Sequence, residues 1–271
     1  MVPRVVESDV LAKIPLVKNA LVPTLVGLST GFLAGLVGLG GAELRMPFLL
    51  YTISLPLRLM IAVNLIVSLI VSGSSFLARL QSGLLPVGYF IPSLGMIIGS
   101  LGGGFLGSII SHKVSTRKLK LFLAMILSVV IVRLFIDIYI ELTPTRFFSN
   151  TVEFPSAILF GFVIGLIAGV AGVAGGEYRI PGLVLLFGLP LKTAGTISQL
   201  VSVPTVLASM VKHNQYNTIG RRSMLVAVTM GAGSVLGVVL STYALFRVPD
   251  SLIRIVFIGI LSYSVIRLLR D

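Results

Sequence analysis

Gly38-Leu39-Gly40-Gly41-Ala42-Glu43-Leu44-Arg45-Met46-Pro47 decides the fold because it occurs twice, returning as Gly172-Val173-Ala174-Gly175-Gly176-Glu177-Tyr178-Arg179-Ile180-Pro181. The offset of 134, from 38 to 172, carries outward without a gap. Upstream, Gly31 and Gly35 fall on Gly165 and Gly169. Downstream, Leu55-Pro56-Leu57-Arg58 falls on Leu189-Pro190-Leu191-Lys192, and Val67-Ser68 on Val201-Ser202. Gly99 and Gly103 then meet Gly233 and Gly237, and Lys120, Ser128, Arg133 and Leu134 meet Arg254, Ser262, Arg267 and Leu268. Leucine-rich helices resemble one another by chance, but chance does not hold Glu, Arg and Pro in register. The chain reads as a duplication.

What surrounds the motif is almost uncharged. Of 271 residues, 56% are hydrophobic and 11% charged, against roughly 25% charged in a soluble domain. Charge-free runs cover Asn19 to Ala42, Leu59 to Ala78, Leu80 to Ser111, Phe154 to Gly176, Thr193 to Val211 and Ser223 to Phe246. Each meets the need for about 20 residues to cross a hydrocarbon layer roughly 30 Å thick. The runs show no alternation of polar and apolar residues, and backbone facing lipid must satisfy its own hydrogen bonds, so helices are expected and strands are not. The expectation is an all-α, multi-pass integral protein of the cell membrane.

The net charge of +12 sits in short clusters between apolar runs, which fits topology signals and anionic membrane lipid, not nucleic acid. With no Cys, thiolate metal sites and disulfides are excluded. His112 and His213 lie beside basic loop residues and predict no metal site, and nothing in the sequence calls for a cofactor. Residues 1–19, with Arg4, Glu7, Asp9, Lys13 and Lys18, read as an amphipathic interfacial arm. Repeats over 20–140 and 154–271, joined by a linker at 141–153, complete the division.

Each half is expected to hold about four long transmembrane helices and one short broken or re-entrant segment. The short segments, Met46 to Leu57 and Ile180 to Leu191, reach only about 18 Å as helix. Basic residues follow the third long helix in the first half (His112, Lys113, Arg117, Lys118, Lys120), whereas the preceding loop holds only Arg79. In the second half Lys212, His213, Arg221 and Arg222 precede that helix instead. If basic loops face the cytoplasm, the halves are inverted, with five crossings each, both termini inside and the acidic Asp137 to Glu153 stretch outside. A parallel four-plus-four arrangement is the competitor.

Function is expected at the glycine clusters. Gly38, Gly40 and Gly41, with Gly172, Gly175 and Gly176, end a membrane helix shortly before Pro47 and Pro181, which we read as helix-break positions because Gly and Pro cost about 1 and 3 kcal/mol inside a helix. Broken backbone at that depth persists only where it lines a cavity or is buried, and broken helices aim N-termini at anionic groups. The outer Gly31, Gly35, Gly161 and Gly165 read as helix-packing glycines. Glu43 with Arg45, and Glu177 with Arg179, are charges at membrane depth that need a partner. As a site, the arginines would attract an anion and the glutamates carry a proton; as scaffolding, they would pair or snorkel. Asn64, Ser68, Ser198, Gln199 and Ser202 supply neutral donors suited to a small oxyanion, or to bonding between helices.

The doubled Gly-x-Gly-Gly, the following Pro and the Leu-Pro step resemble the sulfite exporter TauE/SafE family of membrane transporters, over nearly the whole chain after residue 20. Ala42 and Glu177 stand where that family usually has a third glycine. The resemblance implies transport of sulfite, sulfoacetate, a sulfonate or another small anion, driven by an ion gradient. Expected partners are that anion, a coupling proton or other ion, and lipid; a homodimer stays open. A channel is the alternative. A membrane enzyme is disfavoured, since no Ser/His/Asp set, His-rich site or nucleotide loop is present.

Overall fold

The computed structural model describes residues 20–49, 57–84, 88–111, 116–139, 150–214 and 221–270. Regular structure among them is entirely helical. The first half contributes α1 (Leu21–Val37), α2 (Ala42–Pro47), α3 (Leu57–Gln81), α4 (Phe90–Ile110) and α5 (Thr116–Tyr139). The second contributes α6 (Asn150–Ala171), α7 (Gly176–Leu185), α8 (Leu191–Asn214), α9 (Arg221–Leu245) and α10 (Asp250–Arg270). The expected arm at 1–19, the His112 loop, most of the linker and the Leu55-Pro56 step lie outside the described residues.

Among the described residues, four helices are long and apolar enough to cross a membrane: Leu59–Gln81, Phe90–Ile110, Val152–Ala171 and Ser223–Leu245. They leave large side chains exposed, such as Leu94, Ile98, Leu101 and Phe105 on α4 and Leu225, Leu236 and Val239 on α9. Such faces suit hydrocarbon better than water. By contrast, α8 turns Thr196, Ser198, Gln199, Ser202, Thr205 and Ser209 into the interior, all fully buried, so it lies at the bundle centre beside α3.

The closest packing joins opposite halves. Gly95, Gly99, Gly103 and Gly107 recur every fourth residue on α4 and meet the α6 backbone at Phe154, Ile158, Phe162 and Leu166. In return, Gly161, Gly165 and Gly169 of α6 meet Met96, Ser100 and Gly104. On α1, Gly27 and Gly31 meet Met230 and Ser234 of α9, while Gly233 and Gly237 meet Thr24 and Leu28. Residue numbers rise together in both pairs, so α4 runs parallel to α6 and α1 to α9. Without a hydrophobic driving force between helices in lipid, close backbone approach at small residues supplies the packing energy. The central pair runs the other way: Arg79, near the end of α3, bonds the Lys192 carbonyl at the start of α8, whereas Leu65 and Val206 share a cluster toward the opposite ends.

A pair of substitutions checks this packing. Gly99→Ala puts a methyl group onto the Ile158 carbonyl, whereas Gly73→Ala on α3 meets nothing within 4 Å. In detergent, Gly99→Ala is expected to lower the melting temperature and Gly73→Ala to raise it slightly, by up to about 1 kcal/mol of helix propensity.

Helix α6 starts at Asn150, with Glu153 in its first turn. Two sequence expectations need correction. Pro181 does not break a helix, since it lies inside α7, and Pro47 is the last residue of α2; the breaks fall at the glycines upstream. Arg79 is not a loop residue. It belongs to α3 and is fully buried.

Candidate functional site

Each half enters its site through the same local device. Helix α1 ends at Gly38, whose φ of 98° is left-handed, and α2 starts after Gly41 at φ 66°. In the second half Gly172 and Gly175 take φ values of 69° and 75°. A side chain there would cost roughly 1 to 2 kcal/mol per residue, so glycine lets a helix stop, turn and restart within five or six residues. The two turns lie against each other: a side chain on Gly40 would strike the Ala174 methyl, and one on Gly176 would crowd the Leu39 backbone.

Behind each turn sits a buried arginine. Arg45 Nη2 donates to the Gly40 carbonyl at 2.8 Å and to Ser68 Oγ at 2.7 Å. Arg179 makes the equivalent bonds from its other end: Nη1 donates to Ser202 Oγ at 2.8 Å and to the Ser198 carbonyl at 3.0 Å, and Nη2 to the Ala174 carbonyl and Thr205 Oγ1, both at 3.4 Å. Both guanidiniums are fully buried, and both Nε atoms and Arg45 Nη1 have no hydrogen-bond partner among the described residues. Amides then clamp each turn from the opposite half: Asn64 Nδ2 donates to the Gly172 carbonyl at 3.2 Å and Gln199 Nε2 to the Leu39 carbonyl at 2.6 Å.

Between the turns lies a cavity of about 20 Å³, room for a single water. Leu39 to Leu44 wall it on one side and Val173 to Glu177 on the other, with Ile260 of α10 closing it. Its ionisable wall residues are Glu43 and Glu177, which lie close enough for their carboxyl groups to interact. Glu177 Oε2 also accepts from Ser264 Oγ at 3.0 Å, and Glu43 lies close enough to Arg45 for their charges to attract.

Of the residues singled out from sequence, Gly40, Gly41, Glu43, Gly175, Gly176 and Glu177 form the cavity wall. Arg45, Arg179, Asn64, Ser68, Ser198, Gln199 and Ser202 stand behind it as the bonded support of the turns. Gly38, Gly172 and Pro181 are outside the wall. Sequence reasoning missed Ser264, Thr205 and Arg79. Arg79 donates to the Gly35 and Leu36 carbonyls at 2.7 and 3.0 Å, to the Lys192 carbonyl at 3.0 Å and to Thr196 Oγ1 at 3.4 Å. It thereby satisfies the end of α1. Thr205 and Ser209 follow Ser198 and Ser202 at helical spacing, a signal that was available. Among the described residues, no group of three His, Cys, Asp or Glu side chains could hold a metal.

Comparison with curated proteins and with solved structures gives no match. The family model of the sulfite exporter TauE/SafE family matches residues 10–134 and 157–271, taking in both turns, both arginines and the carboxyl pair. The chain is thus a multi-pass integral membrane protein and belongs to the sulfite exporter TauE/SafE family.

Proposed function

We propose that this chain is a secondary transporter that moves a small sulfur-containing or organic anion, of the sulfite, sulfoacetate or sulfonate type, by alternating access coupled to protons. The observation that carries the proposal is the cavity between two equivalent glycine turns, walled by two carboxyl groups and backed by two guanidiniums. First-turn amides of α7 have no acceptor within their own helix and carry the positive end of its dipole. Together with Arg45 and Arg179 they make the region attractive to an oxyanion.

The halves, 20–140 and 154–271, are on this reading inverted repeats. Antiparallel α3 and α8, with parallel α1/α9 and α4/α6 pairs, support inversion, because exchanging the halves maps each contact onto its counterpart. Both termini then face the cytoplasm. The cavity has room for about one water and is too small for a sulfur oxyanion. Admission of substrate requires the turns to part.

Liposomes containing the purified protein are expected to take up labelled sulfite or a small sulfonate when a proton gradient is applied. A channel would conduct the anion whatever the proton gradient. Turnover without flux would indicate an enzyme.

A further inference from the structure

Buried charge around the cavity determines what can enter together. Arg45 and Arg179 contribute two positive charges behind the turns, and Glu43 and Glu177 two carboxyl groups at the wall. The groups facing the carboxyls are Arg45 of α2, Tyr178 of α7 and Ser264 of α10, the last two neutral. Arg79 lies apart, its charge spread over the carbonyls of Gly35, Leu36 and Lys192. With both carboxylates ionised the four groups balance, and an arriving anion leaves uncompensated negative charge beside the buried Arg45, Arg179 and Glu177 and the half-buried Glu43. One proton on the pair releases one positive charge for a monoanion, and two protons admit a dianion. A neutral total is retained whether the site is empty or filled, which is the condition that buried charge demands.

We propose, resting on the transporter reading above, that the protein is an electroneutral anion–proton symporter in which the Glu43–Glu177 pair takes up one proton for each negative charge carried by the substrate. Proton and anion then cross in the same direction.

The test uses liposomes holding the full chain, with potential clamped by potassium and valinomycin and a pH difference of one unit. The probes are labelled methanesulfonate, which does not titrate in this range, and labelled sulfite. Symport predicts accumulation on the alkaline side, about tenfold for methanesulfonate, unchanged when the potential is stepped. Accumulation on the acidic side, or flux that ignores pH, overturns symport while leaving transport standing. No flux of either probe under any gradient refutes the transporter reading instead. Glu43→Gln combined with Glu177→Gln is expected to lose the pH-driven accumulation, and retention of it overturns the assignment. If that double variant does not fold, the accumulation ratio of the unaltered protein decides.

Discussion

Arg179→Met is expected to lower the melting temperature in detergent by roughly 10 °C and to remove most anion uptake. Methionine keeps much of the apolar volume but deletes the donors, leaving the Ser198 carbonyl and two hydroxyls without the guanidinium and the turn held only by Asn64 and Ser202. Breaking a buried charged network of this kind costs on the order of 3 to 5 kcal/mol. Arg45→Met should cost less, since Arg45 makes two such bonds where Arg179 makes four. Arg179→Lys restores the charge but not the fork, so recovered uptake without recovered thermal stability would separate attraction of the anion from support of the turn. Full uptake in both Met variants would remove the arginines from the transport mechanism.

Gly38→Val is the second large effect. The left-handed φ of 98° disfavours any side chain, and one placed there falls on the backbone of Gly195 in α8. Strain and overpacking together reach several kcal/mol, and the displaced element is the central helix that carries Ser198, Gln199 and Ser202. Loss of the monodisperse peak in size exclusion, or of all uptake, is expected. The matching Gly172→Val carries the same left-handed strain, but the atoms nearest its added carbon belong to the Ile61 side chain and not to backbone, so it should be milder. Equal severity of the two would mean that the α1–α8 contact at Gly38 is not the rigid one.

Helices and turns were legible because both are local. Apolar length marks the spans, and two glycines in left-handed conformation with Glu and Arg behind them form a device visible in any register. What escaped was the role of charges at the ends of apolar runs. Arg79 closes a charge-free stretch and so looked like a loop boundary; its burial follows from carbonyls at the end of α1, more than forty positions away in sequence. Pro47 and Pro181 misled for a related reason. Each sits near a break, but a left-handed glycine six residues earlier, Gly41 or Gly175, had already made the turn, so the short helix runs up to or through the proline. The arginines were legible as members of the site, not as its rear support, because which way a guanidinium reaches depends on the partner helix.

The glycine contacts also say which parts can move as bodies. Backbone touching backbone along α1/α9 and α4/α6 leaves no slack for shear, so each pair travels as one strut. Every strut takes one helix from each half of the chain. Neither half of the chain by itself therefore contains a complete strut.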